Sequence, residues 1–352
     1  MNTRHEQLPD TATILHLDHQ LTPAWARLFQ TLTEFRAATI VITATELGLF
    51  DNAPTEGESV SAAADRLGIT PVSTRVLLNA LSGLGFVLKD AQSYTVPPDI
   101  RALFSSDVDR NVKHNILAFR REIEVWLRMP QILRRTEQAP EEYSRELLDN
   151  RIRKFAGLMM LNRLDAESIL ERIQTIVATL GTVLDLGGGD GFYARRIVES
   201  NPEARVDVLD LDGAFELCEE QNAVAIREQR IQMIKGDART FEPSREYDLV
   251  MINELLELFP EDEKLLIADR ACRSVKPGGH LIVTKFPLDA AGTGPSRFPI
   301  FSMRMHLKFP GSFLETETEI QDMFESLGLR LGEKIDALRS AFIFTKTEDL
   351  NQ

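Results

Sequence analysis

The stretch DLGGGDG, residues 185–191, decides the fold of this chain. It lies at the end of a short apolar run, VLDL at 183–186, and it opens a segment with helical periodicity. Glycines between a strand and a helix let the backbone approach a ligand at the carboxyl end of the first strand of a doubly wound sheet. A dinucleotide fingerprint G-x-G-x-x-G would need its third glycine at position 192, where Phe192 stands instead. The spacing is that of an acid followed by three alternating glycines, which suits a cationic ligand better than a pyrophosphate.

Two more acids follow the next predicted strands. Asp210 ends the second strand, where an acid bonds ribose hydroxyls, and Asp237 ends the third, where a carboxylate can accept from an adenine amino group. Either acid alone is typical of a solvated strand end or a helix cap. Three acids at successive strand ends, beside the glycine pattern, indicate a site for S-adenosylmethionine. The predicted cofactor-binding residues are Asp185, Gly187, Gly189, Asp210, Leu211, Asp237, Ala238 and Asn253.

Short apolar runs alternate with helical segments from residue 182 onward. Strands that are separated by helices form a parallel, doubly wound sheet, so we predict an α/β, Rossmann-like catalytic domain at 178–352. The segment AFIFTKT, 341–347, is expected to close the edge of the sheet. Residues 101–177 show helical periodicity and are predicted to form a helical linker and pocket wall. The predicted parallel strands are VLDL (183–186), VDVLDL (206–211), IQMIKG (231–236), YDLVMI (247–252) and HLIVTKF (280–286).

Residues 1–100 are predicted to form an all-helical winged-helix domain that mediates dimerisation. Two capped helices within 59–86 are followed by a hairpin at 86–96. A winged helix can read DNA with its second helix, but this one offers a single cation, Arg75. The segment 37–50 has almost no polar face and must be buried on several sides, by its own domain or by a second subunit. We therefore favour a homodimer over a nucleic-acid partner.

Composition excludes several classes of protein. The 352 residues carry a net charge of -14, which argues against a protein that grips phosphate backbones. Two cysteines are too few for a disulfide framework or a zinc ribbon. The polar start lacks the apolar core of a signal peptide, and no apolar run approaches the roughly 20 residues that span a bilayer. We expect a cytoplasmic protein with no membrane partner.

At this point the chain resembles the two-domain class I S-adenosylmethionine-dependent methyltransferases of the plant and bacterial small-molecule O-methyltransferase type. The likeness covers roughly residues 28–346 and includes the motifs DLGGGDG, LDLD, GDA and KPGGHLIV. The resemblance implies that Asp185, Gly187 and Gly189 line the methionine part of the cofactor. It also implies secondary-metabolite chemistry on a small-molecule acceptor, and a homodimer whose N-terminal domains are swapped.

The chain departs from this family where the catalytic base is expected. The family typically reads L-H-D-W-P after the fourth strand, and its His acts as general base on a phenol. Here residues 256–260 read LELFP, so Glu257 occupies the place of the histidine. Where the family often carries a Glu at the fifth strand, this chain has Lys285, and the family's third acid aligns loosely with Leu314. We therefore predict Glu257, Lys285 and His306 as catalytic residues, without the usual phenol chemistry.

A divalent metal is one replacement for the missing base. Glu254 and Glu257 are three residues apart at the carboxyl edge of the sheet, and His306 falls in the segment that walls the family's substrate pocket. Two carboxylates and an imidazole form a three-ligand set for Fe²⁺, Mn²⁺ or Zn²⁺. Such a metal would act as a Lewis acid on a 2-oxo acid. A minor branch of the family C-methylates 2-oxo acids such as 2-ketoarginine in this way.

Other readings stay open beside the metal. Glu257 and Lys285 can form an ion pair, and an O- or N-methyltransferase can work mainly by proximity. A third alternative is a regulator or structural dimer that binds the cofactor without catalysis. Arg304 is the candidate for the carboxylate of a substrate, and Met160 and Trp126 are candidates for its pocket wall.

Overall fold

The computed structural model describes residues 21–51, 53–104, 112–134, 166–337 and 339–347. Met160, predicted as a substrate contact, lies outside these residues. The chain divides into two compact units, residues 1–120 and 121–352. The finer boundaries after residues 100 and 177 stay a prediction.

The first unit combines helices with a small antiparallel sheet. Ser59 caps one helix by accepting a hydrogen bond from the amide of Ala62, and that helix ends at Gly68, whose φ is 66°. Thr70 caps the next helix by accepting from Ser73. These local signals confirm the predicted order of helix, turn, helix and hairpin. The elements are α1 (Leu21–Glu46), β1 (Glu58–Ser59), α2 (Val60–Leu67), α3 (Pro71–Gly83), β2 (Leu88–Asp90), β3 (Ser93–Thr95) and α4 (Pro98–Leu103).

The sequence predicted an all-helical domain, but this unit also contains a sheet, because the predicted hairpin forms and pairs with a third strand. β1 pairs antiparallel with β3, so the strand order is β1-β3-β2. A two-residue strand such as Glu58-Ser59 carries no periodicity, and only its pairing with Ser93 and Tyr94 makes it a strand.

The remaining elements build a larger sheet that is covered by helices. They are α5 (Lys113–Leu127), α6 (Met129–Leu133), α7 (Gln174–Val177), β4 (Thr182–Leu186), α8 (Phe192–Ser200), β5 (Arg205–Asp210), α9 (Asp212–Arg227), β6 (Ile231–Lys235), β7 (Tyr247–Asn253), a 3₁₀ turn (Leu256–Leu258), α10 (Glu261–Ser274), β8 (Val275–Lys285), α11 (Arg297–Lys308), α12 (Glu317–Ser326), β9 (Leu329–Ile335) and β10 (Ser340–Lys346).

The strand order is β6-β5-β4-β7-β8-β10-β9. The first five of these strands are parallel to one another, which confirms the predicted doubly wound sheet. The order reverses between β4 and β7, and ligands of open α/β sheets bind at the carboxyl ends of the strands beside such a reversal. The glycine stretch directly follows β4 and lies at that point.

The prediction that 341–347 closes the edge is wrong. β10 pairs antiparallel with both β8 and β9, so β9 is the edge strand instead. β9 reads LRLGEKI, whose charged residues and glycine obscure a strand in the sequence, and they suit an edge exposed to solvent on one side.

Alternate residues of the parallel strands supply two cores, one on each face of the sheet. Val183 belongs to one buried cluster and Leu184 to the other, as expected when successive side chains point to opposite faces. In the described part of the chain, no helix is both long and apolar enough to cross a membrane. Cys218 and Cys272 are free and buried, and the cytoplasmic location stays a prediction.

Candidate functional site

The glycine turn after β4 has a backbone that side chains would obstruct. Gly187 has a φ of 71°, and a Cβ at this position would lie 2.7 Å from the side chain of Leu255. Gly189 has a φ of 58°, and no heavy atom lies within 4 Å of a Cβ built there. Left-handed backbone favours glycine at both positions. The turn is thus closed toward Leu255 and open beside Gly189.

Asp185, at the end of β4, is fully buried, and one of its two carboxylate oxygens accepts a hydrogen bond. Its Oδ1 accepts a hydrogen bond of 3.2 Å from Asn253 Nδ2. Its Oδ2 receives none from any residue that the structure describes. Burial raises the pKa of Asp185 to about 7, the hydrogen bond from Asn253 opposes this shift, and the negative charges of Asp210 and Asp190 add to it. A cation arriving at the turn would favour the ionised form of Asp185.

Asp210, at the end of β5, is joined to the turn. Its Oδ2 accepts from the backbone amide of Gly189 at 2.8 Å, and its Oδ1 accepts from Leu211 at 2.7 Å. Both bonds tie this carboxylate to the backbone beside the glycine turn, where the sequence predicts a contact with ribose hydroxyls. The structure therefore brings Asp185, Gly189 and Asp210 together, as the sequence predicted.

Asp237, the predicted adenine contact, is engaged by a nearby arginine. Arg239 Nη2 lies 2.6 Å from Asp237 Oδ2, and Arg239 Nη1 lies 3.2 Å from Glu263 Oε2. The hydrogen bond from the Arg239 side chain holds the pKa of Asp237 below its usual value. Ala238 beside it is buried. The role of Asp237 toward adenine stays a prediction.

The three predicted metal ligands do not come together. Glu254 forms an ion pair with Arg339, and it has a left-handed φ of 49°. His306 Nδ1 lies 3.2 Å from the carbonyl oxygen of Ser312. Glu257 is buried in a separate cluster of charges. Among the described residues, no group of three or more His, Cys, Asp or Glu side chains is placed to hold a metal ion, so the predicted ligand set is wrong.

Glu257 lies beside a buried group of two lysines and a second glutamate. Glu315 bridges the lysines: its Oε1 is 2.6 Å from Lys264 Nζ, and its Oε2 pairs with Lys285. These four side chains are at most 2% exposed and carry two charges of each sign. We call Glu257, Lys264, Lys285 and Glu315 the buried charge cluster.

Within this cluster Glu257 is the carboxylate with a spare acceptor. Its Oε2 accepts no hydrogen bond from the part of the chain that the structure describes. Burial raises the pKa of Glu257, while the charge of Lys285 opposes this shift. Lys285 itself pairs with Glu315, so the direct ion pair between Glu257 and Lys285 is not formed as the alternative reading expected.

Sequence reasoning missed Lys264 and misplaced the third acid. Leu314, with which the family's third acid was loosely aligned, packs in an apolar cluster, and the acid beside it in this chain is Glu315. Lys264 had a detectable signal, since it shares the helical stripe of Ile267, Ala268 and Ala271, which are all buried. A lysine on a buried stripe requires a carboxylate partner. The partner, about 50 residues away in the sequence, could not be identified from the pattern alone.

Arg304, the predicted substrate contact, is held by Glu122. Its Nε lies 3.0 Å and 2.9 Å from the two carboxylate oxygens, and Lys308 Nζ lies 2.6 Å from one of them. Trp126 is partly buried and packs in the apolar cluster that includes Met303. Arg304 therefore links α11 to α5 in this structure, and a contact with substrate stays a prediction.

Comparison with known proteins places this site in context. A family model described as an O-methyltransferase domain matches residues 142–330, a little more than half of the chain. The N,N-dimethyltransferase OxyT of Streptomyces rimosus is 26% identical over 279 residues, which cover 76% of this chain and 79% of OxyT. The acetylserotonin O-methyltransferase of Bos taurus is 24% identical over 298 residues, which cover 79% of this chain and 84% of the bovine protein.

A solved structure shares the fold. The crystal structure of human N-acetylserotonin methyltransferase in complex with SAM superimposes with a TM-score of 0.77 at 20% identity. The match covers 92% of this chain and 98% of the human chain.

Proposed function

Since the chain belongs to the O-methyltransferase domain family, we propose that it transfers the methyl group of S-adenosylmethionine to a small-molecule acceptor. The observation that carries this proposal is the glycine turn after β4, flanked by the carboxylates of Asp185 and Asp210. OxyT is named as an N,N-dimethyltransferase and the bovine relative as an O-methyltransferase, which supports an amine or a hydroxyl as the acceptor.

The residues present fit the cofactor. Open space beside Gly189 can take the ligand. The unpartnered Oδ2 of the buried Asp185 is stabilised by a nearby sulfonium or ammonium. Asp210 is held beside the turn by its bond from the Gly189 amide, at the strand end where an acid bonds ribose hydroxyls. When bound, the cofactor supplies an electrophilic methyl group on a sulfonium centre.

Catalysis in this proposal depends on positioning, with Glu257 as the proton acceptor. Glu257 takes the place of the family's histidine and has an acceptor oxygen without a partner among the described residues. Burial makes this carboxylate more basic, and Lys285 nearby keeps an ionised form accessible. As the acceptor N–H or O–H attacks, its proton passes to Glu257 Oε2. Holding the reactants in line supplies much of the remaining acceleration.

The metal-assisted C-methylation of a 2-oxo acid such as 2-ketoarginine loses the ligand set on which it depended. Glu254 is paired with Arg339, and His306 bonds to the backbone near Ser312. The described residues therefore do not fit this metal. The remaining alternative, a regulator, predicts cofactor binding without formation of S-adenosylhomocysteine.

The test measures S-adenosylhomocysteine formation with phenolic and amine acceptors. For the acceptor that turns over, Glu257→Gln should lower kcat by about 10²–10⁴-fold and leave the affinity for the cofactor unchanged. The control is Glu261→Gln, an exposed carboxylate in the first turn of α10. Full activity in Glu257→Gln would exclude this proton acceptor. Cofactor binding without turnover of any acceptor would favour the regulator.

We also propose that the protein is a homodimer formed through its N-terminal unit. α1 presents an exposed apolar face whose members recur every three or four residues. Such a patch on a helix is typical of an interface with another chain, and a second copy is the partner that the resemblance implies. The face consists of Trp25, Leu28, Phe29, Leu32 and Phe35, each 51–63% exposed.

A further inference from the structure

Three neighbouring strands end in side chains that bond to one another. β4, β7 and β8 are adjacent and parallel, and Asn253 stands opposite Thr284 in their register. Thr284 Oγ1 donates to Asn253 Oδ1 at 3.0 Å, and Asn253 Nδ2 donates to Asp185 Oδ1 at 3.2 Å. Thr284 and Asp185 are fully buried. The result is a hydrogen-bonded relay of one hydroxyl, one amide and one carboxylate.

We propose that Thr284 is a positioning residue for cofactor binding, because its hydroxyl fixes the amide of Asn253 in the orientation that donates to Asp185. The inference rests on the proposed binding of S-adenosylmethionine at the glycine turn. Thr284 does not touch the cofactor in this proposal, and it acts through Asn253.

The two ends of an amide have nearly the same shape and opposite hydrogen-bonding character. If Asn253 turned over, its Oδ1 would face the carboxylate of Asp185, and two acceptors would oppose each other. The bond from Thr284 to Oδ1 favours the observed orientation. Without the hydroxyl, Oδ1 of the partly buried Asn253 would lose the donor that the structure shows, and a partly buried acceptor without that donor is less stable. The amide would then be held in this orientation only by its bond to Asp185.

The relay also determines how readily Asp185 carries its charge. Burial and the charges of Asp210 and Asp190 all raise the pKa of Asp185, and the hydrogen bond from Asn253 opposes them. Loss of a correctly oriented Asn253 would therefore leave Asp185 protonated over a wider pH range. A cationic ligand would bind more weakly at neutral pH, and its affinity would recover at higher pH.

The experiment is calorimetric titration of the full-length protein with S-adenosylmethionine and S-adenosylhomocysteine between pH 6 and 9. Thr284→Val keeps the shape and removes the hydroxyl. We expect its Kd at pH 7 to rise about tenfold, as for the loss of one hydrogen bond, and the pH midpoint of affinity to move upward. Thr284→Ser restores the donor and should stay within about twofold of wild type.

The matched control is Thr45→Val, which removes another buried threonine hydroxyl, bonded to the carbonyl of Val41 in α1. It should bind the cofactor as wild type does. If Thr284→Val does not fold, Thr284→Ala is read in its place with the same expectation. An unchanged Kd and pH midpoint in the hydroxyl-free variant, or equal losses in Thr284→Ser and Thr284→Val, would overturn the inference alone. A wild-type protein that binds neither ligand would overturn the proposed function and the inference with it.

Discussion

Glu315→Gln should destabilise the second unit strongly, although the residue is not predicted to touch substrate or cofactor. Glu315 is 2% exposed and bridges Lys264 and Lys285, which are 0% and 1% exposed. A glutamine of the same shape leaves both ammonium groups buried without the carboxylate that pairs with them. Glu257 alone then opposes two positive charges.

The magnitude follows from that burial. Removing one partner of a buried ion pair costs about 3–5 kcal/mol. In a unit the size of residues 121–352, each kcal/mol lowers the melting temperature by about 2–4 °C. The expected decrease is therefore about 6–20 °C. A domain has only about 5–15 kcal/mol of stability, so the variant should be marginal.

Scanning calorimetry of the purified protein measures this decrease against a matched control. Glu317→Gln makes the same change two residues later, where the carboxylate is half exposed and pairs with Lys334 at the surface. It should cost no more than about 1 kcal/mol. The double variant Lys264→Met with Glu315→Gln removes a charge of each sign and should lose less than the single Glu315→Gln. Equal melting temperatures for the two single glutamine variants would refute the reasoning.

The stability that Glu315 contributes through its two lysine partners depends on pH. Burial acts to raise the pKa of Glu315, but Lys285 and Lys264 outweigh it and hold the pKa below its ordinary value of 4.5. Stability from this carboxylate is therefore present above pH 4.5 and lost as the pH falls through the lower pKa of the folded chain. Wild type should lose this contribution in acid, and Glu315→Gln should have none to lose.

Two further predictions concern the cofactor site and the N-terminal unit. Burial raises the pKa of Asp185 from 3.8 to about 7, so the folded cofactor-free protein binds more protons than the unfolded chain across this window. The free energy of unfolding of the wild type should fall by up to about 4 kcal/mol as the pH rises from 4 to above 7. In urea titrations, Asp185→Asn should lack this fall. Equal pH dependence of stability in the wild type and in Asp185→Asn would contradict the prediction. In light scattering, the double variant Trp25→Glu with Phe29→Glu should have the mass of a monomer. The control Gln30→Glu, on the opposite face of α1, should remain a dimer. A wild-type protein with the mass of a monomer would exclude the proposed interface.

Local patterns in the sequence determined much of the fold. The glycine stretch after β4, the caps at Ser59 and Thr70 and the apolar runs of the parallel strands each depend on contacts within a few residues, or on the period of one element. These features predicted the central sheet, the order of elements in the first unit and the family. They also predicted the proximity of Asp185 and Asp210, since the carboxyl ends of neighbouring parallel strands share one edge of the sheet.

Only the tertiary structure decided which distant side chains meet. The position of β10 between β8 and β9 depends on pairing across the sheet, and a short polar edge strand has little signature of its own. Glu254, Glu257 and His306 have the chemistry of metal ligands, but ion pairs and the course of the backbone place them apart. Glu315 meets Lys264 because α10 and the loop before α12 pack together. A charged residue on a buried stripe predicts that a partner of opposite charge lies nearby. Tertiary packing determines which residue that partner is.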